Sequence, residues 1–227
     1  TNDKLLCKKL LTSAGVTCPA AIAVCPGQPK PLVDISLPVI CKPLANHNSK
    51  GIDFTSVAYS SSELEQQISK ILSGSEDYLI EQYIDGREIT AGFLGNGDEM
   101  RVLPLEEIVF GEYFRDKPRI LTYDAKWAET DPANLESRVV IPAAVSSEQS
   151  ERIRTALIKI AAVFGIRDYG RVDFRLDREG NVFAIDVNAN PDLSFGAGLS
   201  KMASSHGFEY SDMIKVVVES ALRRTRN

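Results

Sequence analysis

Two segments near the C-terminal end hold the side chains best suited to chemistry. YGRVDFRLD (169–177) and VFAIDVNAN (182–190) both read as strands, separated by the turn residues Arg178, Glu179, Gly180 and Asn181. A four-residue turn sets Asp173 opposite Asp186 and Arg171 opposite Asn188, and the two-residue period of a strand puts all four on one face. Carboxylates directly opposed on a sheet repel, so this face calls for a compensating positive charge. A hard divalent ion fits. Magnesium takes oxygen ligands, commonly one or two carboxylates plus substrate phosphates, which suits Asp173, Asp186 and Asn188 better than it suits zinc. The plainer alternative is a polar sheet face on which Arg171 pairs with Asp173.

Two further segments carry weaker signals. VNANPDLSFGAG (187–198) is dense in turn and small residues, which let backbone approach a ligand, although an ordinary strand-to-helix connection reads the same way. KPLANHNSKGID (42–53) follows the apolar run PVIC, and its Lys42, Ser49 and Gly51 could hold a phosphate. It lacks the GK[ST] ending of a P-loop. His47 and His206 read as a loop residue and a helix-end residue.

The elements that must position these groups follow from periodicity and capping. DKLLCKKLLTSAG opens with leucines at helical spacing and stops at Gly15. AIAV and PVICK, on either side of PGQPKPLVDISL, read as strands. Ser62 and Glu65 stand at capping-box spacing before a helix to about Ser73, and DYLIEQYI follows as a buried strand. GREITAGFLGNGDEMRVLPLEEIVF reads as two strands turning at Gly95-Asn96-Gly97. Residues 111–138 have no sustained period and are expected to form a long loop. Ser146 and Gln149 form a second capping box, with the helix running to Gly165, and a last helix starts at Ser211. This order predicts two α+β subdomains, 1–84 and 85–227.

Bulk properties exclude several classes. The 227 residues are 44% hydrophobic and 25% charged, which is globular. A net charge of -5 gives no general field for nucleic acid, and Arg223, Arg224 and Arg226 read as a solvated helix end. No apolar run approaches the roughly 18 to 20 residues of a membrane helix. Cys7, Cys18, Cys25 and Cys41 lack zinc spacing and read as reduced thiols, so a soluble cytoplasmic protein is expected.

In order along the chain, DK at 3–4, PVICKP at 38–43, the 46–51 loop, LIEQYIDGREIT at 79–90, YDAKW at 123–127, YGRVDF at 169–174 and IDVNANP at 185–191 resemble the ATP-grasp core of D-alanine:D-alanine ligases. The resemblance covers nearly the whole chain. It implies an ATP-grasp fold of the α+β class, with two mostly antiparallel subdomains, a lid at 1–84 and a catalytic part at 85–227, clamping a nucleotide. It implies ATP and Mg2+ as cofactors, with Mn2+ as an alternative ion, and small-molecule carboxylate and amine substrates. By that likeness Lys4 and Lys42 contact ATP phosphates under a flexible cover that includes Ser49 and Gly51. Glu81 and Ile84 flank the adenine, Glu88 accepts from the ribose, and Lys126 reaches the γ-phosphate. Arg171 stabilises an acyl phosphate and the tetrahedral species that follows, while Asp173, Asp186 and Asn188 ligate magnesium. The reaction implied is amide formation through an acyl phosphate, which asks mainly for charge neutralisation and alignment.

Three departures from the family pattern bear on substrate. Asp192 replaces a glycine after the NxxP of the last motif, and its carboxylate could recognise an incoming amine. Trp127 stands where tyrosine is usual, and Asn46-His47-Asn48-Ser49 replaces Glu-Gly-Ser-Ser. These changes argue for a product other than D-alanyl-D-alanine. The family's N-terminal domain is also absent before TNDKLL, so the expected alternatives are a fragment, a homodimer or a nucleotide-binding module without turnover.

Overall fold

The computed structural model describes residues 3–45, 51–128 and 130–224. Ser49, His47 and the rest of the 46–50 segment lie outside the described residues, as does Arg226. In chain order the elements are α1 (Lys4–Ser13), β1 (Ala21–Val24), β2 (Val39–Pro43), β3 (Val57–Ala58), α2 (Ser61–Leu72), β4 (Tyr78–Gln82) and β5 (Arg87–Leu94). They continue with β6 (Arg101–Val102), β7 (Glu106–Phe110), α3 (Tyr123–Trp127), α4 (Pro132–Leu135), β8 (Ser137–Val140), α5 (Ser147–Phe164), β9 (Tyr169–Leu176), β10 (Val182–Asn188), α6 (Gly198–Ser205) and α7 (Tyr210–Arg224). The chain divides into two compact units: residues 1–10, 18–86 and 110–138, and residues 11–17, 87–109 and 139–227. No helix among the described residues is long and apolar enough to cross a membrane.

The first unit is built on an antiparallel sheet ordered β1-β4-β2-β3. Strand alternation sends Val24, Val39, Cys41 and Ile80 to one face, where Leu64, Ile68 and Ile71 of α2 cover them. Burial alone pushes the Cys41 thiol up to about 12, and all four cysteines are free. The capping box of α2 is made by Ser60 and Glu63, not by Ser62 and Glu65. Of three consecutive serines, Ser60 and Ser62 each have a glutamate three residues on. Glu63 wins because its carboxylate also accepts from the Tyr59 N–H, whereas Glu65 pairs with Lys30 at the surface.

Residues 111–138 are not the loop that their missing period suggested. They fold into a 3-10 turn at Glu112–Phe114, then α3, α4 and the start of β8. Phe54, Phe110, Tyr113 and Phe114 pack ring against ring at centroid distances of 4.8 to 6.2 Å, a tertiary cluster with no local periodic signature.

The second unit carries the larger sheet, ordered β10-β9-β5-β7-β8, with β6 added to β5. Its two faces differ sharply. Ile89, Ala91, Phe93, Val172, Phe174 and Ala184 are fully buried on one side. There α5 packs against β5, β9 and β10 with Ile153, Leu157 and Ile160. The predicted capping box of α5 is present at Ser146 and Gln149, and Gly165 ends the helix in the left-handed conformation.

On the opposite face, the row through Gly92 continues to Leu94, where α6 and α7 cover it with Leu199, Met202 and Met213. Gly92 sets the depth of that packing. A Cβ there would lie 2.5 Å from Leu199 Cδ1 and 3.2 Å from Met202 Cε, so any side chain forces Leu199, or α6 with it, to shift. Gly92→Ala is therefore expected to lose about 1 to 3 kcal/mol of stability through overpacking. Urea unfolding followed by circular dichroism checks this, and an unchanged midpoint would mean that α6 adjusts freely.

Candidate active site

The polar face of the second unit is organised in rows across the strands. Gly92, Arg171 and Asn188 form one row; Glu106, Thr90, Asp173 and Asp186 form the next; Ile108, Glu88 and Arg175 form a third. The pairing of Asp173 with Asp186 and of Arg171 with Asn188 is as expected, but the route to it is not. The hairpin closes at Asp177 and Asn181 around a three-residue loop in which Gly180 takes φ 84, so pairing starts one residue out of the anticipated register. An irregularity between Ala184 and Asp186 then inserts Ile185 unpaired and restores it. Two deviations cancel.

Arg171 contacts Asp173 through Nε and Nη2, both at 3.2 Å, and Thr90 Oγ1 donates to the same carboxylate at 3.1 Å. The ion pair of the plainer reading is thus present. It does not satisfy the face. Asp186 stands opposite Asp173 and has no hydrogen-bond or ion-pair partner of its own among the described residues. Asn188 Oδ1 accepts from the Asn190 N–H at 3.0 Å and keeps a second lone pair. Two carboxylates and an amide oxygen suit a hard cation that brings further ligands with it. No group of three or more His, Cys, Asp or Glu side chains suited to a metal occurs among the described residues, so the set is incomplete without such ligands.

Coulombic attraction from Asp173 raises the Arg171 pKa above its usual value, burial opposes this, and Glu106 and Asp186 add to it. Arg171 therefore stays a cation. Glu88 Oε2 accepts from Arg175 Nη2 at 2.7 Å, which fixes the carboxylate while leaving further acceptor positions.

Glu106 was missed by the sequence reading. Burial pushes its carboxyl above the usual range, Arg171 pulls it down, Asp173 pushes it up, and Lys201 and Glu88 add smaller opposite effects. A signal for it existed. Consecutive acids in the strand LEEIV must point to opposite faces. Glu107 turns to the other side, where Arg87 holds it bidentately at 2.6 and 2.7 Å, so Glu106 must face the site.

Asp192 is exposed, and its Oδ1 accepts from the Ser194 N–H at 2.8 Å. The Ser194 hydroxyl first, and this backbone N–H second, hold its pKa below the ordinary range. Asn190 likewise accepts from the Tyr169 hydroxyl, so the segment after β10 is fixed by its own turns. His206 is the C-cap of α6.

In the first unit, Lys42 and Glu81 project from the sheet face opposite α2, and Glu81 takes Lys42 Nζ at 2.7 Å and Lys8 Nζ at 2.9 Å. All three are almost fully buried, at 8%, 3% and 6% exposure. Lys8 stands one helical turn beyond Lys4, a spacing the sequence offered. Burial opposes ionisation of Glu81, but the charges of Lys42 and Lys8 outweigh it and hold the carboxyl below its usual range. Two lysines on one carboxylate leave a net positive charge in a dry setting. Lys4 Nζ donates to the Pro43 and Leu44 carbonyls at 3.2 Å. Gly51, at φ 78, lies where a Cβ would meet Pro43 Cγ at 2.8 Å. Ile84 is buried just after β4, and Lys126 is exposed in the last turn of α3 beside Trp127.

A sequence profile for the family described as D-ala D-ala ligase C-terminus matches residues 29–219. The chain belongs to that family. The uncharacterized protein y4sG of Sinorhizobium fredii is 32% identical over 99% of this chain, which spans 63% of that protein. A D-alanine--D-alanine ligase of Carboxydothermus hydrogenoformans is 29% identical over 95% of this chain, which spans 67% of that enzyme. Among solved structures, D-alanine--D-alanine ligase from Bacillus anthracis complexed with ATP superposes with a TM-score of 0.76 at 21% identity, covering 99% of this chain and 67% of that one. The fold is ATP-grasp, of the α+β class with antiparallel sheets.

The buried triad yields a stability prediction. Glu81→Leu strands two lysines without a counter-charge and is expected to cost about 3 to 5 kcal/mol, while the triple change Lys8→Met, Lys42→Met, Glu81→Leu recovers most of it. Because Glu81 has a lowered folded pKa, its contribution is complete above the unfolded carboxylate value and is lost as pH falls through the folded value. Denaturant midpoints against pH should show an acid limb in the native protein that flattens in Glu81→Gln; an identical limb would count against the triad.

Proposed function

We propose that this protein is an ATP-dependent carboxylate–amine ligase that works through an acyl phosphate, with substrates other than a pair of D-alanines. The observation that carries this reading is the row holding Asp173 and Asp186 beside Arg171 and Asn188, in a chain of the D-ala D-ala ligase family. The B. anthracis relative, solved in complex with ATP, supports ATP as the phosphoryl donor.

Asp173, Asp186 and Asn188 would hold magnesium, which when bound supplies charge neutralisation at the phosphates. Lys4, Lys42 and Lys126 are assigned to phosphate oxygens, with Gly51 and Ser49 in the covering segment. The net positive charge of the Lys8–Glu81–Lys42 triad supports an anion partner for Lys42. Since both Glu81 oxygens are taken by lysines, adenine recognition falls to backbone groups around Glu81 and Ile84, and the ribose to Glu88. A carboxylate oxygen of the substrate attacks the γ-phosphorus and ADP leaves. The amine nitrogen then attacks the acyl carbon, phosphate departs and the nitrogen gives up a proton. Arg171, fixed as a cation by Asp173, stabilises the negative charge that develops on the acyl oxygen.

Calorimetric titration of Mg-ADP into the full chain tests this. Binding is expected to require the metal, to vanish with a chelator, and to weaken about tenfold or more in Asp186→Ala. A phosphate-release screen over amino and hydroxy acids then reads substrate. Robust D-alanine-dependent release equal to that with any other acid would sink the substrate proposal, metal-dependent binding without turnover would leave a nucleotide-binding module, and no nucleotide binding to folded protein would overturn the reading.

A further inference from the structure

We propose that Glu106 determines specificity by accepting a cationic nitrogen of the substrate, so that the enzyme selects an amino acid carrying a second, non-reacting ammonium group; this rests on the ligase reading above. Glu106 is 8% exposed, and its Oε2 is buried without a hydrogen-bond partner. A buried acceptor left unmade is costly, and more so when charged, so such a group in a folded protein demands a reason.

Its surroundings supply one. Glu106 lies in the row of Thr90, Asp173 and Asp186. It also borders the first turn of α6, because a Cβ built on Gly198 would sit 3.5 and 3.8 Å from its two oxygens and 4.0 Å from Arg171 Nη1. The two oxygens and the guanidinium thus line one small space, which the missing side chain of Gly198 leaves beside the carboxylate. The N-cap of α6 is Ala197, which offers no side-chain cap.

Charge decides what fits there. Arg171 is the cation nearest to hand, but its Nη2 hydrogen-bonds Asp173 and its Nε lies in ion-pair contact with the same carboxylate, while Lys201 adds a weaker attraction. Glu106 is therefore left with an acceptor in need of a donor. An ammonium group meets that need, whereas a methyl side chain does not and leaves the carboxyl group desolvated.

The test is calorimetric, with saturating Mg-ADP present. Both enantiomers of 2,3-diaminopropionate, ornithine and lysine are titrated against their uncharged counterparts alanine, norvaline and norleucine, and against serine. Native protein is expected to bind at least one diamino acid about tenfold or more tighter than its counterpart. Glu106→Gln and Glu106→Leu should each bring that ratio to near one, a change that a merely structural role for Glu106 would not produce. Circular dichroism confirms that both variants are folded. A ratio that survives in Glu106→Leu overturns the proposal, as does tightest binding of serine or an uncharged acid. Absence of any diamino acid binding while Mg-ADP still binds overturns it too and leaves the nucleotide reading standing; absence of Mg-ADP binding removes the ligase reading and the proposal with it.

Discussion

Asp173 and Asp186 face each other across neighbouring strands, and Glu106 adds a third carboxylate to the same row with only Thr90 between. Like charges at that spacing work against the pairing of the strands that carry them, so the sheet must be held by something else. The other face does so. Ile89, Phe93, Val172 and Phe174 are sealed under α5, whose own ends are fixed by a capping box and a left-handed glycine. Because side chains alternate, the register that buries those residues is the same one that lines up the acids, and a slip by one residue would expose the core. Hydrophobic burial on one side thereby enforces electrostatic crowding on the other, and Arg171 relieves only part of it.

This coupling explains what the sequence could and could not disclose. Strands β9 and β10 and helix α5 were legible because alternation, turn residues and caps are local, and the acid pair followed from alternation together with a turn length one residue too long. The exact register was not local. The loop has three residues and the extra residue sits at Ile185, a placement that only the finished sheet imposes. Helix α6 has no start signal in the sequence, because Ala197 and Gly198 offer no capping side chain, and it exists because Leu199 and Met202 find the gap above Gly92. Helices α3 and α4 depend similarly on an aromatic cluster assembled from distant residues, although Asp131 followed by Pro132 did announce the start of α4.

The first unit solves a different problem with the same economy of charge. A buried glutamate is unfavourable alone, and so is each buried lysine, yet Glu81 with Lys8 and Lys42 forms a set in which every ion has an opposite within 2.9 Å. Apolar residues of similar volume would serve stability equally well, so stability does not account for the set. What an apolar substitute could not provide is the unbalanced positive charge. Lys42 was legible as a charged residue at a strand end, whereas its partners were not, because Lys8 sits in a helix that reads simply as amphipathic and Glu81 in a strand that reads simply as buried.

Fold and substrate are encoded at very different densities in this chain. An identity of 21% suffices for a TM-score of 0.76, since the fold asks only for apolar residues at alternating positions and for turns between them. The same tolerance means that a relative's substrate cannot be carried across with its fold; a D-Ala:D-Ser ligase from Enterococcus faecalis superposes almost as well, with a TM-score of 0.73. Substrate choice must then rest on few side chains, and those that matter are the ones the fold does not need. Asp192 is exposed and has one carboxylate oxygen engaged in its own turn. Glu106 is the opposite case: it contributes nothing to the core, is unfavourable where it stands, and borders the space beside Gly198. A residue retained at an energetic cost to the fold is where a difference in function is most economically sought.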